Sequence, residues 1–278
     1  MALRNFKDLV AKKWDEGHFL CVGLDTDVEK IPKSVRTKDV AKSILAFNQA
    51  IVDATKDIVC AFKPNSAFYE AEGIAGWQAL KDTVDYILRI APDVPLILDA
   101  KRGDIGNTNN GYVKMAFDSL GVDAITVQPY AGGEALSPFF ERREKGIFVL
   151  VKTSNSGSDE FQNLKVDGEL LYKRVTRAVV EDWNKHGNCG VVVGTTYPEE
   201  MREVRAIARD MPILMPGTGV QGGDLKQSVK AAKNSKGQGM IISASRAVLY
   251  ASGDDEFAEA ARSKAQEYDS AIRNTLIG

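Results

Sequence analysis

Asp99, Lys101 and Asp104 stand close together in the run LILDAKRGDIGNT, residues 96–108, directly after the apolar Leu96, Ile97 and Leu98. Side chains two apart on an extended strand share a face, so Asp99 and Lys101 are expected to emerge side by side. Asp104 follows past Gly103, where the backbone can turn back. Lys63 ends another apolar run. Together the four make an alternating network of two carboxylates and two ammoniums, near zero in net charge, in which each lysine is held protonated by its acidic neighbours. A lysine so held is a proton donor, not a Schiff-base nucleophile. The alternative is a purely structural cluster of ion pairs.

A second group has the composition of a phosphate site. The stretch MPGTGVQGGD, residues 215–224, is rich in glycine, and Arg246 lies in SASRAV, residues 243–248. Glycines let backbone N–H groups approach an anion, and an arginine can grip it through two hydrogen bonds. Ordinary turn chemistry is the plainer account of Gly217, Gly219, Gly222 and Gly223. Asp25, closing VGLD, could accept a hydrogen bond from a sugar hydroxyl or cap the next segment. Thr153 and Ser154 could bind a polar ring or belong simply to a loop.

These residues need a scaffold that brings them together. Apolar runs of strand length recur at 19–25, 58–64, 95–101, 123–129, 146–152, 189–195, 212–218 and 239–245. Between them lie segments of helical period: Val40, Ile44, Phe47 and Ile51; Trp77, Leu80, Val84 and Ile87; Val175, Val179 and Trp183. Pro198 with Glu199 and Glu200 makes a favourable first turn for a further helix. The alternation predicts a (β/α)8 TIM barrel, with a short N-terminal helix ahead of it, as one domain over 1–278. A doubly wound open sheet is the alternative, but no glycine-rich dinucleotide fingerprint follows the first strand.

In such a barrel, chemistry belongs at the C-terminal ends of the strands. Asp25, Lys63, Asp99, Lys101 and Arg246 all fall there. His18 and His186 precede strands and fall at the opposite rim, which argues against a Ser-His-Asp triad and a histidine-based zinc site. The stretch TSNSGSDEFQNLKVD, residues 153–167, is too long for an ordinary connection and is either a lid over the mouth or a disordered insertion.

Composition narrows the partners. The 278 residues carry 36 Lys and Arg against 38 Asp and Glu, a formal charge of −2, with no basic stripe for nucleic acid. A small metabolite is the expected partner. No segment has the apolar length of a signal peptide or a membrane span, so a soluble, cytoplasmic protein is expected. Cys21, Cys60 and Cys189 fall within apolar runs and read as reduced, inert thiols.

The run LDAKRGDIGNT resembles the Asp-x-Lys-x-x-Asp signature of the orotidine 5′-monophosphate decarboxylases. CVGLD, AFKPN, PGTGVQGGD and the arginine after the eighth strand occur in the family's order, and DAKRGDIGNT with KPNSAFYE is similar to its longer bacterial subgroup. The signature by itself is shared with sugar-phosphate decarboxylases and aldolase-like synthases. The resemblance implies decarboxylation of orotidine 5′-monophosphate to uridine 5′-monophosphate without cofactor or metal. It implies that Asp25 binds the ribose, Lys63 belongs to the charged network, Asp99 faces the substrate carboxylate and Lys101 protonates C6. Asp104, Ile105 and Thr108 would reach into the neighbouring subunit's site in a homodimer. Ser154, or Ser156 in an alternative alignment, would touch the pyrimidine, while Gln221 and Arg246 would hold the phosphate; the arginine here follows Ser245 where the family commonly has glycine. The rivals are a magnesium-dependent sugar-phosphate enzyme on the same barrel and a catalytically silent nucleotide sensor.

Overall fold

The computed structural model describes residues 4–217 and 222–277. Its strands are β1 (Leu20–Gly23), β2 (Ala61–Lys63), β3 (Ile97–Arg102), β4 (Ala124–Val127), β5 (Gly146–Lys152), β6 (Lys165–Val166), β7 (Glu169–Leu170), β8 (Cys189–Val193), β9 (Ile213–Met215) and β10 (Met240–Ala244). Eight of these form one parallel sheet in the order β2-β1-β10-β9-β8-β5-β4-β3. Parallel bridges between Phe62 and Leu96 and between Asn65 and Asp99 join its two ends, closing the barrel. All eight expected strands are therefore present, and β6 and β7 are an added antiparallel hairpin.

The strands form where they do because they are covered on both faces: β1, β4, β5 and β8 are buried throughout. Continuous apolar runs suit that environment, whereas alternation suits a sheet with one wet face.

The helices are α1 (Phe6–Asp15), α2 (Val40–Thr55), α3 (Ser66–Glu70), α4 (Gly73–Ile90), α5 (Asn107–Val113), α6 (Gly132–Phe140), α7 (Leu171–Arg177), α8 (Pro198–Ala208), α9 (Gly222–Ala232), α10 (Arg246–Leu249) and α11 (Phe257–Ile277). The predicted apolar faces turn inward: Ile44, Phe47 and Ile51 of α2 and Leu80, Val84 and Ile87 of α4 are buried. Pro198 occupies the first turn of α8, where its missing N–H costs nothing. Both α5 and α7 run on as π-helical turns, Lys114–Leu120 and Ala178–Trp183, which the period of the sequence did not signal.

The short helix α1 floors the barrel. Asn5 caps it by accepting from the N–H groups of Lys7 and Asp8. The Phe6 ring meets Phe148 edge to face at 5.5 Å, and the Trp14 indole donates to the Met240 carbonyl at 2.9 Å. With the N-terminal end plugged, the C-terminal ends of the strands are the open mouth.

The 153–167 stretch is folded, which removes the disordered-insertion alternative. It holds a 3-10 turn, Ser156–Glu160, and then enters the β6–β7 hairpin.

Candidate active site

Asp99 is the centre of the mouth. It is buried, its Oδ2 lies 3.2 Å from Lys63 Nζ, and its Oδ1 lies 2.6 Å from Lys101 Nζ. The Thr126 hydroxyl donates to the same Oδ1 at 2.9 Å. Burial by itself would raise the Asp99 carboxyl, but the Lys63 and Lys101 ammoniums hold it well below the usual carboxylate range. Burial likewise works against the charge of Lys63, yet Asp99 and then Asp25 keep it protonated above the ordinary lysine value. The two lysines differ in what they can reach. The Lys63 side chain is 4% exposed and that of Lys101 is 44% exposed. Lys101 is thus the ammonium presented to the open end of the barrel.

Asp99 and Lys101 meet, but not through the plain alternation of an extended strand. Pairing between β3 and β4 jumps from Leu98 with Ile125 to Arg102 with Val127, leaving Asp99, Ala100 and Lys101 opposite Thr126. Lys101 has φ of +46°, in the left-handed region that non-glycine residues rarely adopt. Such an irregularity re-aims side chains and is frequent next to active sites.

Asp25 follows β1 by two residues. Its Oδ2 accepts from the Ser245 hydroxyl at 2.6 Å, while its Oδ1 is buried, 4.0 Å from Lys63 Nζ, with no hydrogen-bond partner. A buried carboxylate oxygen in that state is an acceptor ready for a hydroxyl donor. The lack of a side chain at Gly23 permits the Ser245 contact, since a Cβ there would lie 2.7 Å from the serine's own Cβ.

Asp104 does not join the network within this chain, a correction to the four-residue cluster. Gly103 runs against the Gln128 carbonyl, where a Cβ would lie 2.8 Å from the oxygen, and the chain then turns outward to the rim. There Asp104 Oδ1 accepts from the Ile105 N–H at 2.7 Å, while Ile105 and Thr108 are exposed.

Ser154 sits over the ends of β8 and β9: a Cβ on Gly194 would lie 2.8 Å from its Cβ, and one on Gly217 would lie 3.3 Å from its Oγ. Ser156 instead opens the 3-10 turn. Arg246 begins α10 directly after β10 and is exposed. Gln221 lies outside the described residues.

Three further residues escaped the sequence reading. Thr126 is a buried hydroxyl inside an apolar run, and that single polar letter was its signal. Ser245 was legible only as a departure from the glycine common at that position. Lys152 ends β5 just as Lys63 ends β2, so the rule that located the other charges applied to it as well. Fully buried, its ammonium donates to Ser158 Oγ at 3.2 Å, Asp159 Oδ1 at 2.8 Å and Asn163 Oδ1 at 3.0 Å, and lies 4.8 Å from the centre of the Tyr197 ring. Gln162 clasps the base of the same loop, accepting from the Thr153 N–H at 2.9 Å and donating to its hydroxyl at 2.8 Å.

Neither histidine is near this site. His18 contacts Arg273 and His186 contacts Glu141, both before their strands. The three thiols are buried, and burial pushes those of Cys21 and Cys189 up to about 12, so none is a ready nucleophile.

Fold and site together define a (β/α)8 enzyme whose open end is faced by paired lysines and carboxylates rather than by histidine or thiolate. The chain belongs to the orotidine 5′-phosphate decarboxylase / HUMPS family, whose model matches residues 18–261. It is 47% identical over 262 residues to an orotidine 5′-phosphate decarboxylase of Cellvibrio japonicus, covering 94% of this chain and 95% of the relative. It is 51% identical over 250 residues to that of Herpetosiphon aurantiacus, covering 90% of each. Among solved structures, the OMP decarboxylase of Leishmania donovani superposes with a TM-score of 0.86 at 35% identity, covering 99% of both chains. Among the described residues, no helix is long and apolar enough to cross a membrane.

Proposed function

We propose that this chain removes CO2 from C6 of orotidine 5′-monophosphate, giving uridine 5′-monophosphate in pyrimidine biosynthesis. The observation that carries the reading is the half-exposed Lys101 ammonium, held 2.6 Å from the buried Asp99 at the barrel mouth. As the C6–carboxylate bond breaks, its electron pair stays on C6 and CO2 departs. Lys101 stabilises that developing charge, transfers a proton to C6, and is reprotonated from solvent. A fixed ammonium aimed at a developing anion needs little reorganisation during the step. Asp99 faces the substrate carboxylate, and Lys63 keeps Asp99 ionised from behind.

The remaining contacts follow the family pattern. The free Oδ1 of Asp25 accepts from a ribose hydroxyl, Ser154 contacts the pyrimidine, and Arg246 with Gln221 holds the phosphate. Phosphate contacts draw residues 153–167 over the mouth, so binding energy gained far from C6 is used at C6. No cofactor and no metal takes part.

The working unit is a homodimer in which Asp104, Ile105 and Thr108 complete the partner's site. Ile74, Ile105 and Tyr130, on the segments after β2, β3 and β4, are 90%, 68% and 97% exposed, which suits a face covered by a second copy. The whole span 1–278 acts as one domain, and the three free buried cysteines suit the reducing cytoplasm.

The magnesium-dependent rival would need carboxylates where Lys63 stands, and Asp99 is already shared between two ammoniums. The test is loss of the orotate chromophore on adding orotidine 5′-monophosphate, with and without a chelator. Equal turnover in both is expected. No turnover overturns the reading, and activity lost to the chelator and restored by Mg2+ favours the rival.

A further inference from the structure

Thr126 has no part in the contacts with substrate described above, yet it lies where the charged network is joined to the barrel wall. We propose that Thr126 is a positioning residue whose hydroxyl sets the place of the Lys101 ammonium; this rests on the decarboxylase reading.

The geometry begins with the irregular pairing of β3 and β4. Where the register jumps, Lys101 takes φ of +46° and its N–H has left the strand ladder. The Thr126 Oγ1 accepts that N–H at 2.9 Å in place of a main-chain carbonyl. The same oxygen is 2.9 Å from Asp99 Oδ1, the atom that holds Lys101 Nζ at 2.6 Å. An ionised carboxylate can only accept, so the hydroxyl proton points to Asp99, and the lone pair is left for Lys101. A single hydroxyl therefore fixes both the backbone of Lys101 and the carboxylate that orients its ammonium. Thr126 is 1% exposed, so water does not substitute freely for either bond.

A role in filling space makes the opposite forecast from a role in aiming. Thr126→Val keeps the shape and removes the hydroxyl; Thr126→Ser keeps the hydroxyl and opens a methyl-sized gap. If the hydroxyl aims Lys101, Thr126→Val lowers kcat by about 10- to 100-fold with KM little changed, because a small misplacement of a reacting group has that order of effect. Thr126→Ser stays close to the wild-type kcat even where its thermal midpoint falls. Wild-type kcat in Thr126→Val overturns the inference, as does a kcat loss in Thr126→Ser equal to that in Thr126→Val.

Should Thr126→Val fail to fold, Thr126→Ala against Thr126→Ser provides the same contrast, since both are smaller than threonine and only one carries a hydroxyl. A kcat about tenfold or more higher for the serine variant supports the inference, and equal values overturn it. The wild-type assay separates the two levels. A wild type that does not decarboxylate removes the functional reading and the inference with it, whereas an active wild type matched by an equally active Thr126→Val removes the inference alone.

Discussion

Two buried carboxylates bracket the same pair of strands, Asp99 at the mouth of the barrel and Asp123 at its floor. Asp123 is fully enclosed and complete within this chain: it accepts from Arg4 Nε at 2.8 Å, from Arg4 Nη2 at 2.7 Å and from the Leu96 N–H at 2.9 Å. Its guanidinium partner is planar and bidentate, and it ties the segment before α1 to the starts of β3 and β4. Asp99 is held instead by two point-charge lysines, one buried and one half exposed, beside a backbone forced into the left-handed region. The floor spends its charges on each other. The mouth leaves the Lys101 side chain half exposed and one buried Asp25 carboxylate oxygen without a hydrogen-bond partner.

That contrast is most sharply tested by removing a charge from each end. Lys101→Ala is expected to lower kcat by about 10⁵-fold, since charge stabilisation and proton donation vanish together, while the thermal midpoint moves little. A loss of only a few-fold makes the mouth cluster as structural as the floor.

The mouth is also expected to be incomplete in one chain, whereas the floor is not. Lys101→Ala and Asp104→Asn proteins, each inactive, are mixed under conditions that exchange subunits. Random pairing restores about a quarter of wild-type activity if Asp104 serves the partner's site, because half the dimers are mixed and half their sites are whole. Verified exchange with no recovered activity puts Asp104 in its own chain's site.

Asp123→Asn reverses the pattern. It leaves the Arg4 guanidinium without its counter-charge and is expected to cost about 3 kcal/mol in denaturant unfolding, with kcat retained. A kcat loss without a loss of stability erases the distinction between the ends.

The smallest effect concerns pH. The folded Asp99 value lies below the unfolded one of about 3.9, so its stabilising contribution is complete above that value and is lost as pH falls through the folded one. Lys63 has the opposite sign: its folded value is raised, so its contribution is complete below about 10.4 and is lost only as pH rises through the folded value. The difference in thermal midpoint between wild type and Asp99→Asn is therefore expected to be constant from about pH 5 to 9 and to narrow only below about pH 4. Narrowing centred near pH 6 shows a carboxyl that burial has raised rather than one that two ammoniums hold down.

The barrel and the end at which it works are legible in the order of the residues. Strands buried on both faces must be continuously apolar, so VGLD, AFKP, LILDAK and GIFVLVK were readable as strands, and charges at their C-terminal ends as the mouth. Asp25, Lys63, Asp99, Lys101 and Arg246 were found by that rule, which applied equally to Lys152. How those charges meet depends on contacts between strands far apart in the chain. The Asp25–Ser245 bond joins residues 220 apart, and the Thr126–Asp99 bond joins residues 27 apart, neither of which leaves a periodic trace in the chain. The left-handed turn at Lys101 sits in an apparently regular strand, because it depends on the register β3 takes against β4 rather than on any glycine at that position. Local composition can place a charge at the end of a strand; only the packing of neighbouring strands fixes which oxygen it faces.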